Sequence, residues 1–170
     1  MSDSFIVVMG VSGCGKTTVA GELANRLEKG VYLEGDSFHP PENKAKMGAG
    51  IPLDDSDRWP WFDALIAEAK AKLAEGQTPV LACSALKQVH RDYLFQDFPA
   101  YRLIHLDGSF ELIKARMDAR DHEYMTSDLL RSQFAALEVP TANDNLLTLS
   151  IEQSPDELVA AAIEWLGSKG

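Results

Sequence analysis

Short apolar runs alternate with segments of helical periodicity along the chain. Continuous apolar runs of this length are typical of parallel strands that are buried on both faces. The runs predict five strands, at Phe5–Met9, Val31–Leu33, Pro79–Cys83, Tyr101–Leu106 and Leu146–Ile151. Apolar residues at helical spacing predict helices at Thr18–Leu27, Trp61–Leu73, Leu86–Phe95, about 109–117, Asp128–Leu137 and from Ser154 onward. This alternation predicts a three-layer α/β fold, with helices on both faces of a mostly parallel sheet.

The 170 residues are predicted to form a single domain, residues 1–170, with two insertions. One insertion covers about residues 36–75, between the second and third strands. Its first part, residues 35–60, is rich in Gly, Pro and Asp and is expected to contain irregular stretches. The other covers about residues 117–140, between the fourth and fifth strands.

Charge and composition exclude several classes of partner. A formal net charge of −10 disfavours binding to nucleic acid or to anionic membranes. No apolar stretch reaches membrane-spanning length, and the first residues lack the basic region of a signal peptide. Cys14 and Cys83 have neither metal-site spacing nor the pattern of a disulfide scaffold. These features predict a cytoplasmic protein, and they do not decide between a monomer and a homodimer.

A glycine-rich segment between the first strand and the first helix matches the pattern G-x-x-x-x-G-K-[ST]. It consists of Gly10, Val11, Ser12, Gly13, Cys14, Gly15, Lys16 and Thr17. Its amides and the following helix, which begins near Thr18, are expected to bind the phosphates of ATP. Lys16 should reach the β- and γ-phosphates, and Thr17 should hold Mg²⁺ through its hydroxyl. A chance match is disfavoured because the motif follows a buried strand and opens a helix.

A phosphate loop does not by itself name the phosphate acceptor, because switches, motors and ATPases share it. Other segments are more specific. They are Glu34–Pro40 (Glu-Gly-Asp-Ser-Phe-His-Pro), Asn43 with Lys46-Met47, Gly50–Trp61 with its Asp-Arg-Trp-Pro-Trp end, Cys83–Lys87 (Cys-Ser-Ala-Leu-Lys), His105–Ser109 and Ser132-Gln133. With the two insertions, they make the chain resemble the small P-loop gluconokinases, which are related to shikimate and adenylate kinases. One departure is His90, where that family usually has a tyrosine.

The resemblance implies a five-stranded sheet of order 2-3-1-4-5 and ATP-dependent phosphorylation of D-gluconate at its 6-hydroxyl, with Mg²⁺. It also implies that the first insertion cradles the acceptor and that the second is a mobile lid. The sequence leaves two alternatives open. One is a kinase of another small anion, such as shikimate or a nucleoside monophosphate. The other is a nucleotide-binding regulator without turnover.

Asp36, His39 and Arg58 are candidate acceptor-binding residues in the first insertion. Asp36 ends the second strand, at the sheet edge where ligands bind, and could accept the hydroxyl proton and help place Mg²⁺. A turn-forming aspartate is the alternative. For His39, the role of a polar loop residue and that of a hydrogen-bond partner of the sugar acid are equally well supported. Arg58 follows acidic residues that favour a helix start. A helix start does not explain an arginine at the positive end of a helix, so binding of an anion is the favoured role of Arg58.

Two pairs of basic residues follow later strands. Lys87 and Arg91 are four residues apart at a helix start, so they are expected to share a face and bind the substrate carboxylate or the transferring phosphate. Arg116 and Arg120 precede the lid and are expected to bind ATP, with Arg120 acting in catalysis on the transferring phosphoryl group. Ion pairs of a surface helix with Glu111 or Asp121 are the alternative.

Overall fold

The computed structural model describes residues 4–120 and 127–169, except for the side chain of Arg120. The strands are β1 Phe5–Met9, β2 Gly30–Glu34, β3 Thr78–Ala82, β4 Tyr101–Asp107 and β5 Leu146–Ser150. The helices are α1 Lys16–Arg26, α2 Pro41–Gly48, α3 Asp55–Ala74, α4 Gln88–Phe95, α5 Phe110–Arg120, α6 Ser127–Ala136 and α7 Pro155–Lys169. A short 3-10 turn, Gly35–Phe38, follows β2. Within these described ranges, no helix has the length and apolar character needed to cross a membrane.

The strands form one parallel sheet of order β2-β3-β1-β4-β5, which confirms the predicted fold and strand order. The central strand β1 pairs on both sides, with Val7 in register with Leu81 of β3 and with Leu103 of β4. All of β1 is buried. Its uninterrupted apolar sequence is explained by this position, because helices cover both faces of a parallel sheet.

The hydrophobic core is divided by the sheet into two layers. Ile6 and Val8 of β1 face one layer, which also contains apolar residues of α1, α5 and α7. Phe5, Val7 and Met9 face the other, which is filled mainly by α3 and α4. Successive side chains of a strand point to opposite faces, so the alternation along β1 is what supplies both layers.

Helix α3 begins at Asp55, six residues before the predicted start at Trp61, and Pro60 lies within it. A capping box accounts for the earlier start. The Asp54 carboxylate accepts the Asp57 backbone N–H at 2.9 Å, and the Asp57 carboxylate accepts the Asp54 N–H at 3.0 Å. Apolar periodicity detects only the part of the helix that is packed against the core, so it did not predict the capped first turns.

Helix α2 lies within residues 35–60, where the sequence predicted irregular stretches and no helix. It opens with Pro41, a residue favoured in the first turn, and only Asn43 among its residues is buried. A helix without an apolar stripe has no periodic signal. The apolar pattern of residues 35–60 therefore did not predict this helix.

Candidate active site

The phosphate loop follows β1 at the carboxyl edge of the sheet. Gly13 and Gly15 have positive φ angles of 85° and 99°, which only glycine adopts readily. A Cβ on Gly13 would lie 2.9 Å from Met117 of α5, whereas a Cβ on Gly15 would meet no atom within 4 Å. The loop is therefore packed against α5 on one side and open on the other. Helix α1 starts at Lys16 without a side-chain cap, so its first N–H groups are available to an anion.

Lys16 folds its side chain over this loop. Its ammonium donates to the carbonyl oxygens of Gly10 and Val11, at 3.0 and 3.1 Å. Both bonds are to neutral carbonyls and neither is to a carboxylate, so the positive charge of Lys16 remains available to a phosphate.

Not every residue of the predicted ATP-binding segment reaches the cavity beside the loop. Those that line it are Ser12, Gly13, Gly15, Lys16, Thr17 and Thr18. Gly10, Val11 and Cys14 are buried beneath the loop, and the side chains of Val11 and Cys14 belong to the hydrophobic core. Those two side chains hold the loop in place, and a contribution of either residue to phosphate binding would come from its backbone.

Carboxylates from the end of β2 stand opposite the loop. The Thr17 hydroxyl donates to Glu34 at 2.9 Å, and the Tyr32 hydroxyl donates to the same carboxylate oxygen. Burial and the neighbouring Glu34 raise the pKa of Tyr32 to about 12, so this phenol stays a donor. The pKa of Asp36 is raised by desolvation in the cleft and by Glu34, while Lys16 opposes the rise. Its side chain is nevertheless 73% exposed to the open cleft.

The hydroxyl of Thr17 and the carboxylates of Glu34 and Asp36 are hard oxygen donors, which are the ligands that Mg²⁺ prefers. Within residues 4–120 and 127–169, no three His, Cys, Asp or Glu side chains are grouped to hold a metal ion by themselves. Mg²⁺ in kinase sites is usually bound through one or two carboxylates together with substrate phosphates. The donor set therefore fits that ion.

One cavity of about 420 Å³ joins the phosphate loop to the predicted acceptor residues. Asp36, His39, Arg58 and Lys87 all line it. They come from three separate segments that follow β2 or β3, and parallel strands bring those ends to one edge of the sheet. The tertiary structure thus places four of the five predicted acceptor-binding residues beside the phosphate loop.

His39 is a buried wall of this cavity. Its side chain is only 2% exposed and stacks on Trp61, with ring centroids 3.9 Å apart. Burial is the main cause that lowers the pKa of His39 to about 4, and the nearby cations Arg58 and Lys44 also contribute to this value. The ring is therefore neutral at pH 7 and acts as a hydrogen-bonding group.

Arg58 has no carboxylate partner among the described residues. Its guanidinium donates to the Leu53 carbonyl at 3.3 Å, and the Asp57 carboxylate beside it is held at 2.8 Å by Lys46. Burial is the main cause of a lowered Arg58 pKa, which nearby carboxylates partly offset. A half-buried guanidinium that lines a cavity without an ion pair is suited to an anionic ligand.

Lys87 is positioned by His90 and Asp55. The Lys87 backbone N–H donates to His90 Nδ1 at 3.3 Å, and His90 Nε2 lies 2.9 Å from Asp55 Oδ1. Burial is the main cause of a lowered His90 pKa. The Lys87 ammonium lies 3.6 Å from the same Asp55 oxygen. This arrangement leaves the ammonium beside the cavity with one distant, half-exposed counterion.

Arg91 does not line this cavity, and its assignment to substrate binding stays a prediction that the described geometry does not favour. Its side chain is buried and donates to the carbonyls of Ala85, Leu86 and Glu138 at 2.7–2.9 Å, and to Gln88 at 3.2 Å. It lines a separate groove instead. The prediction assumed that Lys87 and Arg91 shared a helix face. Lys87 is the extended N-cap residue before α4, so helical spacing does not apply to it.

Arg116 links α5 to the segment after β5, since its guanidinium donates to the Ile151 carbonyl at 2.7 Å. It does not line the cavity. Its role in ATP binding stays a prediction. The side chain of Arg120 and the alternative partner Asp121 lie outside the described residues, so the catalytic role of Arg120 also stays a prediction.

Gln133 of α6 contacts the phosphate loop and was assigned no role from the sequence. Its side-chain oxygen accepts the Ser12 backbone N–H at 2.8 Å, and its side-chain nitrogen lies 3.1 Å from the Ser12 hydroxyl. Gln133 stood within a segment that carried the family resemblance, but glutamine has no chemical pattern that points to a partner so distant in the chain. The contact joins the predicted lid to the loop.

Strand, glycine loop and helix form a phosphate cradle, and carboxylates and cations line the adjoining cavity. These features define a P-loop kinase. The chain matches no family model. It is 42% identical to the gluconokinase of Gluconobacter oxydans strain 621H, covering 94% of this chain and 89% of that one. It is 40% identical to the thermoresistant gluconokinase of Escherichia coli strain K12, covering 93% and 90%.

Solved structures agree with these relatives. The crystal structure of a gluconokinase from Sinorhizobium meliloti 1021 superposes with a TM-score of 0.88 at 38% identity, covering 98% of this chain and 93% of that one. The chain belongs to the gluconokinase family.

Proposed function

We propose that the protein transfers the γ-phosphoryl group of ATP to the 6-hydroxyl of D-gluconate, giving 6-phospho-D-gluconate and ADP. The observation that carries the proposal is the single cavity in which the phosphate loop, the Asp36 carboxylate and the cations Arg58 and Lys87 meet. A hydroxylated carboxylic acid presents both a hydroxyl for the carboxylate and an anionic group for the cations. The family relationship supports the same acceptor.

The phosphates of ATP would be bound by the amides of the loop, the open N-terminus of α1 and the Lys16 ammonium. Thr17, Glu34 and Asp36 would hold Mg²⁺. When bound, Mg²⁺ supplies positive charge that neutralises the phosphate oxygens during transfer. We place this activity in the cytoplasm, where ATP is available.

The transfer is an in-line displacement at the γ-phosphorus. The acceptor oxygen forms a bond to phosphorus while its proton passes to the Asp36 carboxylate. The bond between the γ-phosphorus and the oxygen that bridges it to the β-phosphorus breaks, and ADP leaves with that electron pair. A carboxylate whose pKa is raised holds the accepted proton better, which suits Asp36 to this role.

Arg58 and Lys87 would bind the carboxylate of gluconate at the end of the cavity away from the reacting hydroxyl. Residues 117–140 would act as the lid, with Arg116 and Arg120 over the nucleotide and the transferring group. Gln133 supports this, since it already connects α6 to the loop. Closure would exclude water, which competes with the acceptor hydroxyl for the phosphoryl group.

An assay of acceptor-dependent ADP release tests the proposal. Purified protein with ATP and Mg²⁺ is expected to release ADP with D-gluconate, and far more slowly with shikimate, nucleoside monophosphates or other sugar acids. Preference for one of those acceptors would favour the alternative kinase. Nucleotide binding without ADP release with any acceptor would favour a regulator.

Lys87→Met and Arg91→Met each remove one cation, but the first is expected to change gluconate binding and the second the stability of the fold. Loss of Lys87 should raise the KM for gluconate about tenfold or more, because a charge-assisted hydrogen bond to the carboxylate is lost, with little change in kcat. The free energy of unfolding of Lys87→Met should differ from that of the wild type by less than about 1 kcal/mol, since the ion pair of Lys87 with Asp55 is half exposed. Loss of Arg91 should lower the free energy of unfolding by about 2–3 kcal/mol, because buried carbonyls lose their donor.

Urea denaturation and steady-state kinetics on the two variants measure these effects. Each variant serves as the control for the other. A raised gluconate KM in Arg91→Met at unchanged stability would reverse the two assignments.

A further inference from the structure

Asn43 of α2 is a buried polar residue to which the reaction above assigns no role. Its side-chain nitrogen is 2.8 Å from the Asp57 carbonyl oxygen and 3.2 Å from His39 Nδ1. A carbonyl oxygen only accepts hydrogen bonds, so the Asn43 atom that faces it must be the NH₂ group. The same NH₂ group therefore donates its other hydrogen to His39.

This donation determines where the His39 ring carries its own hydrogen. A neutral imidazole has one N–H and one acceptor nitrogen. Because Nδ1 accepts from Asn43, the hydrogen is on Nε2. The Nε2 atom is 3.8 Å from Asp36 Oδ1, which is too far for a direct hydrogen bond. Stacking on Trp61 holds the plane of the ring in this orientation.

We propose that Asn43 is a positioning residue, which keeps His39 as the Nε2–H tautomer so that the ring donates a hydrogen bond to the acceptor hydroxyl that Asp36 deprotonates. This inference rests on the proposed function. An oxygen can lie about 2.8 Å from each of two atoms that are 3.8 Å apart, so one hydroxyl can contact both. It would accept from His39 and donate to Asp36, which directs its proton to the carboxylate and leaves a lone pair for phosphorus.

The opposite tautomer would abolish this arrangement. With hydrogen on Nδ1, the ring would present an acceptor nitrogen at Nε2, and His39 and Asp36 would compete for the same hydroxyl proton. The amide of Asn43 excludes that state, because its own NH₂ group would then face a second N–H. Asn43 thereby separates the roles of His39 as donor and Asp36 as base.

Asn43→Asp is the most direct test, because it is nearly isosteric and replaces the donor by an acceptor. Long-range ¹H–¹⁵N NMR correlation of the histidine rings reads the tautomer, and loss of signals in His39→Gln assigns His39. In the wild type, Nδ1 is expected to be unprotonated and Nε2 protonated. In Asn43→Asp, Nδ1 is expected to be protonated. A wild-type ring with hydrogen on Nδ1 would overturn the proposal.

Kinetics distinguish positioning from a purely structural role, since Asn43 also ties α2 to α3 through Asp57. At a pH where NMR shows the variant ring to be neutral, Asn43→Asp is expected to lower kcat about 10- to 100-fold, with little change in the KM for ATP. In the His39→Gln background, whose amide donates near the position of Nε2 without help from Asn43, the same change should cost less than about threefold.

An equal loss in both backgrounds would overturn the proposal, because it would show that Asn43 acts through Asp57 alone. Failure of the proposed function has a different signature. No gluconate-dependent ADP release would contradict the reaction, while the tautomer of His39 would still be read by NMR in the unliganded protein.

Discussion

Replacement of Lys16 by methionine is expected to lower kcat for gluconate phosphorylation about 10²–10³-fold, the loss typical when one preorganised donor to the transition state is removed. Methionine keeps the length and most of the volume of the side chain but has no charge. Among the described residues, the Lys16 ammonium forms hydrogen bonds with just the carbonyls of Gly10 and Val11, so the loop should retain its shape. Coupled detection of ADP at saturating gluconate measures the effect.

Lys70→Met is the matched control, because Lys70 forms a surface ion pair with Asp97 at 2.8 Å, and both side chains are about half exposed. It removes the same charge from a site remote in function, and kcat should stay within about twofold of the wild type. Retention of most of the wild-type kcat in Lys16→Met would contradict the assignment of the loop to phosphate transfer.

Asp36→Asn is the second change with a large expected effect. The amide keeps the shape of the side chain but cannot accept the acceptor proton, so kcat should fall about 10²–10⁴-fold while the KM for gluconate changes little. Steady-state kinetics on the alkaline plateau of the wild-type pH profile measure it. Asp97→Asn, which lies in the surface pair with Lys70, is the control. A kcat within a few fold of the wild type would rule out Asp36 as the base.

The pH dependence of kcat/KM gives a second measurement on Asp36. The residue acts in its deprotonated form, so activity should fall as the pH decreases through its pKa. Desolvation and Glu34 raise that pKa, so the fall should lie above the ordinary range of an aspartate. This acid limb should be missing from the residual activity of Asp36→Asn. An identical acid limb in the variant would assign it to another group.

Much of the fold was predictable because its signals are local. The apolar run of β1 is buried along its whole length. The glycine pattern that follows requires positive φ angles at Gly13 and Gly15, which no other residue type supplies as readily. Strand order came from the family resemblance and is confirmed. Helix α2 was missed because a helix that buries only Asn43 has no apolar stripe.

The site was less predictable, because its geometry depends on contacts between distant segments. Lys87 and Arg91 look alike in the sequence. In the structure, Lys87 precedes α4 and lies beside the cavity, whereas Arg91 lies within α4 and donates to buried carbonyls. The contact of Gln133 with Ser12 spans 121 residues, a separation that no local pattern reports.

By itself, the sequence determined the chemistry that is available: a phosphate loop, a carboxylate at the end of β2, and cations near the strand ends. Short-range rules are sufficient for these, since they depend on the backbone freedom of glycine and on strand polarity. Only the tertiary structure decided which cations face the cavity and which nitrogen of His39 carries its hydrogen. Those properties depend on hydrogen-bond partners such as Asp57 and Glu138, which folding brings together from other parts of the chain.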